Sequence, residues 1–123
     1  MKIKLPTQTK ELVDGDLKIT PGEKEFELDM SLASQIRYEA KFPNLAERED
    51  LFNYSKRISE VKELTAGVII SKMKLLYCWF DTEIDFIEFL KMFDLSDIAF
   101  SKKLTTRIHE VFELVLNGSA EKN

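Results

Sequence analysis

The chain has 123 residues, 44% of them hydrophobic and 33% charged, with a net charge of −4 and a single cysteine. That length makes one domain able to bury a core without staples, and one cysteine excludes an intrachain disulfide and fits a reducing compartment. The eighteen Lys and Arg residues are scattered among twenty-two Asp and Glu residues, which argues against nucleic acid or an anionic membrane surface as the main partner.

The N-terminal stretch MKIKLPTQTK has no apolar core of the kind a signal peptide carries. The longest apolar run, residues 68–80, contains Lys72 and Lys74 and falls short of the roughly twenty apolar residues of a membrane span. A cytosolic, soluble protein is expected.

Residues 1–30 alternate with period two. Ile3 and Leu5 alternate with Lys2 and Lys4, Leu17 and Ile19 flank Lys18, and Phe26 and Leu28 alternate with acidic residues. This pattern reads as short half-buried strands, with turn signals at Asp14-Gly15-Asp16 and Pro21-Gly22. The single best hairpin has arms near 16–20 and 24–29; the other reading is a partly disordered arm, because two strands alone are marginal.

From Ser31 the period changes to that of a helix. Ser31 is a candidate N-cap for a helix over 32–42 ended by Pro43, and Asn44 a candidate cap for a short second helix through Leu51 and Tyr54. A long helix follows over 57–80. Its apolar residues, among them Ile58, Val61, Leu64, Val68, Leu75 and Trp79 with Ile69, Met73, Leu76 and Phe80 beside them, cover more than half the circumference, wider than an ordinary surface stripe. Gly67 marks a bend or close packing within it. Thr82 opens an approximate capping box for a helix over 83–93. The last helix runs near 100–116 with Leu104, Ile108, Val111, Phe112 and Val115 on one face, Asn117-Gly118 stops it, and a frayed tail follows over 118–123. The fold class is therefore mainly α (α+β), a helical body of four to five helices over 31–117 behind an N-terminal β-hairpin or arm over 1–30.

Chemistry-bearing residues are few. Cys78 and His109 are the only cysteine and histidine, and Cys78 lies within Leu-Leu-Tyr-Cys-Trp-Phe, where a cysteine behaves as a small inert hydrophobe. Asp81, Glu83, Asp85 and Glu88 crowd one helix start, which the macrodipole favours without any function. Arg48, Lys56, Arg57 and Lys62 are interleaved with acidic residues and read as a solvated face. No cofactor, metal set or catalytic residue is expected. Tyr77, Trp79, Phe80, Phe86, Phe89 and Phe93 are more informative. Two consecutive helices with wide apolar arcs are hard to cover, and uncovered apolar surface with Trp and Tyr anchors marks interfaces. Leu75, Tyr77, Trp79, Phe86 and Phe89 are the expected partner surface.

Three stretches carry a family resemblance: Glu27-Leu28-Asp29-Met30-Ser31-Leu32-Ala33-Ser34-Gln35-Ile36-Arg37-Tyr38-Glu39 with Phe42-Pro43, then Glu49-Asp50-Leu51-Phe52-Asn53-Tyr54, then residues 70–80. The chain resembles the tail assembly chaperones of long-tailed phages and prophages of Gram-positive bacteria. The resemblance implies a non-enzymatic, largely helical, self-associating assembly factor in the cytoplasm of the host cell. It implies binding to the long hydrophobic tape-measure protein, which the chaperone keeps soluble until tail-tube subunits polymerise around it. A structural tail or connector component, and a small acidic protein-binding regulator, are the alternative readings.

Overall fold

The computed structural model describes residues 1–63 and 65–117. Leu64, the Gly118 stop and the 118–123 tail lie outside the described residues. An antiparallel hairpin of β1 (Lys2–Val13) and β2 (Asp16–Glu27) precedes six helices among the described residues: α1 (Ala33–Lys41), α2 (Pro43–Ala46), α3 (Leu51–Ser59), α4 (Ala66–Trp79), α5 (Phe86–Leu90) and α6 (Ile98–Asn117). The class is α+β, with helices dominant.

The hairpin turns at Asp14-Gly15, where φ is 53° and 83°; a two-residue loop with both central residues at positive φ matches the strands' own twist. The arms are therefore 2–13 and 16–27: the expected arms 16–20 and 24–29 do not pair with each other, since 16–20 and 24–27 lie on the one strand β2, whose partner is β1, and the expected turn Pro21-Gly22 lies inside β2 opposite Gln8 and Thr7. Proline is tolerated there for a geometric reason. The N–H of Gln8 donates to Met92 O and its carbonyl accepts from Asp94 N, both at 3.0 Å. Gln8 thus spends its backbone groups away from β2, and Pro21 faces a partner that asks for no donor.

Only the base of the hairpin joins the core. Ile3, Leu5 and Phe26 are buried, whereas residues 11–25 are exposed throughout. Both edges of the base are tied to the helical body. β1 is held at Gln8 by the 92–94 segment. Beyond β2, Asp29 N donates to Trp79 O at 2.8 Å and Asp81 N donates to Glu27 O at 2.9 Å. These anchors supply what an isolated two-stranded sheet lacks.

The expected helix over 57–80 is two helices. α3 ends at Ser59, and α4 starts afresh at Thr65, whose hydroxyl accepts from Val68 N at 3.3 Å. Lys72 on α4 reaches back to donate to Val61 O at 3.1 Å in the connection. The residues between are adequate helix formers; what interrupts them is packing, since α3 and α4 both lie against the same core and a straight rod could not fold back on itself. Gly67 falls in the first turn of α4, so no mid-helix bend arises there. The 83–93 helix is shorter than expected, α5, with Asp85 as its cap, accepting from Ile87 N at 3.0 Å, while Thr82 accepts from Ile84 N one turn earlier. The second short helix also divides: Pro43 takes the first position of α2, and Asp50, not Asn44, caps α3 by accepting from Asn53 N at 2.7 Å.

α4 is the centre of the core. Ile69, Met73, Leu75, Leu76, Tyr77, Cys78 and Trp79 are all buried on it. Phe26 of the hairpin stacks on Phe80 at 4.7 Å, and Phe89 of α5 packs edge-on against Phe26. Phe112 of α6 meets Trp79 at 5.5 Å. α6 contributes Phe100, Leu104, Ile108, Val111 and Phe112 at helical spacing.

Candidate functional site: an apolar hollow between α1, α3 and α6

The expected partner surface is for the most part core. Leu75, Tyr77, Trp79 and Phe89 are buried, and Phe86 is half-buried between Phe42 and Tyr77. The cover comes from the hairpin base, from α6 and from α1 and α3, which together enclose α4 on more sides than one helix and a thin hairpin could. Tyr77 also places its hydroxyl inside, donating to Ile84 O.

Trp79 is the exception that leads to a site. It lines a hollow of about 160 Å³ walled mainly by Met30, Leu32, Phe52, Val115 and Leu116, with Gln35 and two serines among the polar lining. The rim is open: Leu32 is 87% exposed, Phe52 59% and Met30 48%. Ile36, one turn beyond Leu32 on α1, is also exposed and extends the apolar strip.

Local chemistry builds this hollow. Asp29 N bonds to Trp79 O and so holds Met30 beside the end of α4. The Asp29 carboxylate accepts from Ser31 N at 2.9 Å and pairs with Arg37 at 3.0 Å. Hydrogen bonds from Ser31, aided by Arg37, hold its pKa down at about 2. Arg37 also donates through Nε to Cys78 O at 2.9 Å, satisfying one of the last carbonyls of α4. Gln35 then joins α1 to α3: its Oε1 accepts from Leu51 N at 3.0 Å, an otherwise unpaired N–H at the start of α3. The buried Tyr38 donates to Glu49 O at 3.3 Å from the same side of α1, and burial pushes its pKa up to about 12. Leu32 and Phe52, each at the start of its helix, are thereby set side by side over Trp79.

A hollow this small is far below the roughly 300–1,000 Å³ of pockets that enclose small molecules. It has the size and lining to accept an apolar side chain presented by a larger partner, as when an amphipathic helix lays its anchors into a groove.

The remaining sequence candidates fall elsewhere. Cys78 is fully buried, burial pushes its thiol up to about 12, and no described cavity is lined by both Cys78 and the exposed His109. Asp81, Glu83, Asp85 and Glu88 are exposed; Asp85 caps α5 and Glu88 pairs with Lys91 at 3.0 Å. Among the described residues no group of His, Cys, Asp and Glu is placed to hold a metal ion. Arg57 pairs with Glu49 at 2.5 Å and lies over the Tyr54 ring, and Lys56 lies over the Phe52 ring at the edge of the hollow. No described helix is long and apolar enough to cross a membrane.

Comparison of the chain with protein-family models, with curated proteins and with solved structures gives no match.

The sequence reasoning missed Met30, Leu32, Ile36 and Phe52 as site residues. The available signal was an excess of apolar residues: Tyr38 on α1 and Leu51, Tyr54 and Ile58 on α3 are the buried apolar residues of those helices, which leaves Leu32, Ile36 and Phe52 without cover.

Proposed function

We propose that this chain is a protein-binding module that acts as a phage tail assembly chaperone, holding apolar helical segments of the tape-measure protein soluble until the tail tube forms around them. The observation that carries the reading is the open apolar hollow over Trp79. Its walls and floor draw on all three stretches on which the family resemblance rests, through Met30 and Leu32, through Phe52, and through Trp79. A client helix would seat one apolar residue in the hollow and lay its neighbours along Leu32 and Ile36. Few anchors and a shallow seat favour weak, repeated binding, which tail-tube subunits can displace as they assemble. Self-association would add avidity along a long client. The role is non-enzymatic, needs no cofactor and is exercised in the cytoplasm of the bacterial host.

Coexpression with the tape-measure protein of the same genome tests the reading. The client is expected to become soluble and to copurify. A client that stays insoluble, with nothing copurifying, contradicts the proposal. Finding this chain in purified virions by mass spectrometry would instead make it a structural tail component.

A further inference from the structure

A second surface, sharing no lining residue with the apolar hollow, gathers the positive charge that the sequence shows as dispersed. α6 and the hairpin enclose an open cleft of about 520 Å³ lined by Lys102, Lys103, Arg107 and Glu110 from the helix, by Lys4 and Pro6 from β1 and by Glu23 from β2. Four cations against two carboxylates in a chain of net charge −4 leave the rest of the surface more acidic than the whole.

The cleft has a fixed wall. Arg107 donates through Nε to Lys4 O at 2.8 Å, which pins the helix to the strand, and its other arm pairs with Glu110 at 3.1 Å. Lys4, Lys102 and Lys103 make no ion pair among the described residues. Three unpaired ammonium groups held around one concavity raise the local potential and attract anions.

We infer that this cleft docks an acidic segment of a partner protein, with Lys4, Lys102 and Lys103 receiving carboxylates. The chemistry favours a peptide over nucleic acid. A nucleic-acid backbone carries closely and evenly spaced charge, and Glu23, Glu110 and the acidic remainder of the surface repel it. A peptide can place donors or neutral residues against the two carboxylates, and the lysine stems offer apolar contact to its side chains. This inference stands apart from the client-binding hollow and survives if that reading fails.

The test is fluorescence anisotropy at low salt with a labelled peptide of glutamates alternating with serines, a lysine–serine peptide of equal length and a single-stranded oligonucleotide. The acidic peptide is expected to bind and to weaken with added salt. Lys102→Glu with Lys103→Glu is expected to weaken it by at least about tenfold, whereas Lys18→Glu on the exposed hairpin leaves it unchanged. Both lysines are exposed, and a Lys102→Gln, Lys103→Gln pair, expected to weaken binding in the same direction, provides the reading if charge reversal disturbs folding. Absence of glutamate–serine peptide binding, equal weakening by Lys18→Glu, or tighter binding of the oligonucleotide overturns the inference.

Discussion

The most apolar segment of this chain and its most open apolar surface are different places. α4, with Leu75, Tyr77 and Trp79, is apolar on almost every side and is enclosed by the hairpin base, α1, α3 and α6. The beginnings of α1 and α3 carry fewer apolar residues, yet Leu32, Ile36 and Phe52 stand exposed. A helix that is apolar all round recruits neighbours on every side and becomes the centre of the core. A short amphipathic helix has only one face to give to the core, so an apolar residue on its other face stays in solvent. Interaction surface is therefore to be sought in apolar residues left over after the core is satisfied.

Mutations at the two places should separate them. Trp79→Ala removes the largest side chain between α4 and α6 and is expected to cost about 3–5 kcal/mol of stability, read as a lower urea midpoint. A near-native midpoint would mean that Trp79 is not packed as described. Tyr77→Phe leaves the Ile84 carbonyl without its donor and is expected to cost about 1 kcal/mol in the same assay, with the fold retained.

The seam between the two places has its own signature. Asp29 has its pKa held at about 2 against an ordinary value of 3.8, by Ser31 first and Arg37 after it. A carboxylate with a lowered folded pKa stabilises the fold above its unfolded value, and that contribution is lost as pH falls from 3.8 through about 2. Asp29→Asn should therefore lower the urea midpoint at pH values above 3.8, with the gap to the parent closing as pH approaches 2. A gap independent of pH would remove Asp29 ionisation from the account.

The smallest expected effect on stability is at the rim. Leu32→Ser and Phe52→Ser alter exposed side chains and should each move stability by no more than about 0.5 kcal/mol, measured by the same unfolding curves. Their effect should appear in client binding.

Much of the fold was legible from periodicity. The switch from period two to a helical period at Ser31 marks the boundary of hairpin and body, and the Leu104, Ile108, Val111, Phe112 spacing locates the buried face of α6. Less legible was the hairpin itself. Residues 11–25 are exposed on both faces, so no buried side imposes an alternating pattern there, and Pro21 reads as a turn unless the outward bonds of Gln8 are known. The break between α3 and α4 was equally hidden, because a tertiary demand overrides acceptable local helix propensity. At the candidate site the sequence marked Trp79 as important but could not show that it is buried beneath an open hollow. The residues around it come from three separate stretches: Asp29, Gln35 and Arg37 tie the first to α4 and to the start of α3, and Phe112 against Trp79 brings in the α6 wall.

The most direct test of the central claim is copurification of the tape-measure protein with the parent chain and with the Leu32→Ser, Phe52→Ser double variant, alongside the unfolding curve of each. The account predicts that the double variant keeps close to the parent's stability and loses most of the copurifying client. Undiminished copurification by a folded double variant would contradict it, because the open hollow over Trp79 would then play no part in holding the client.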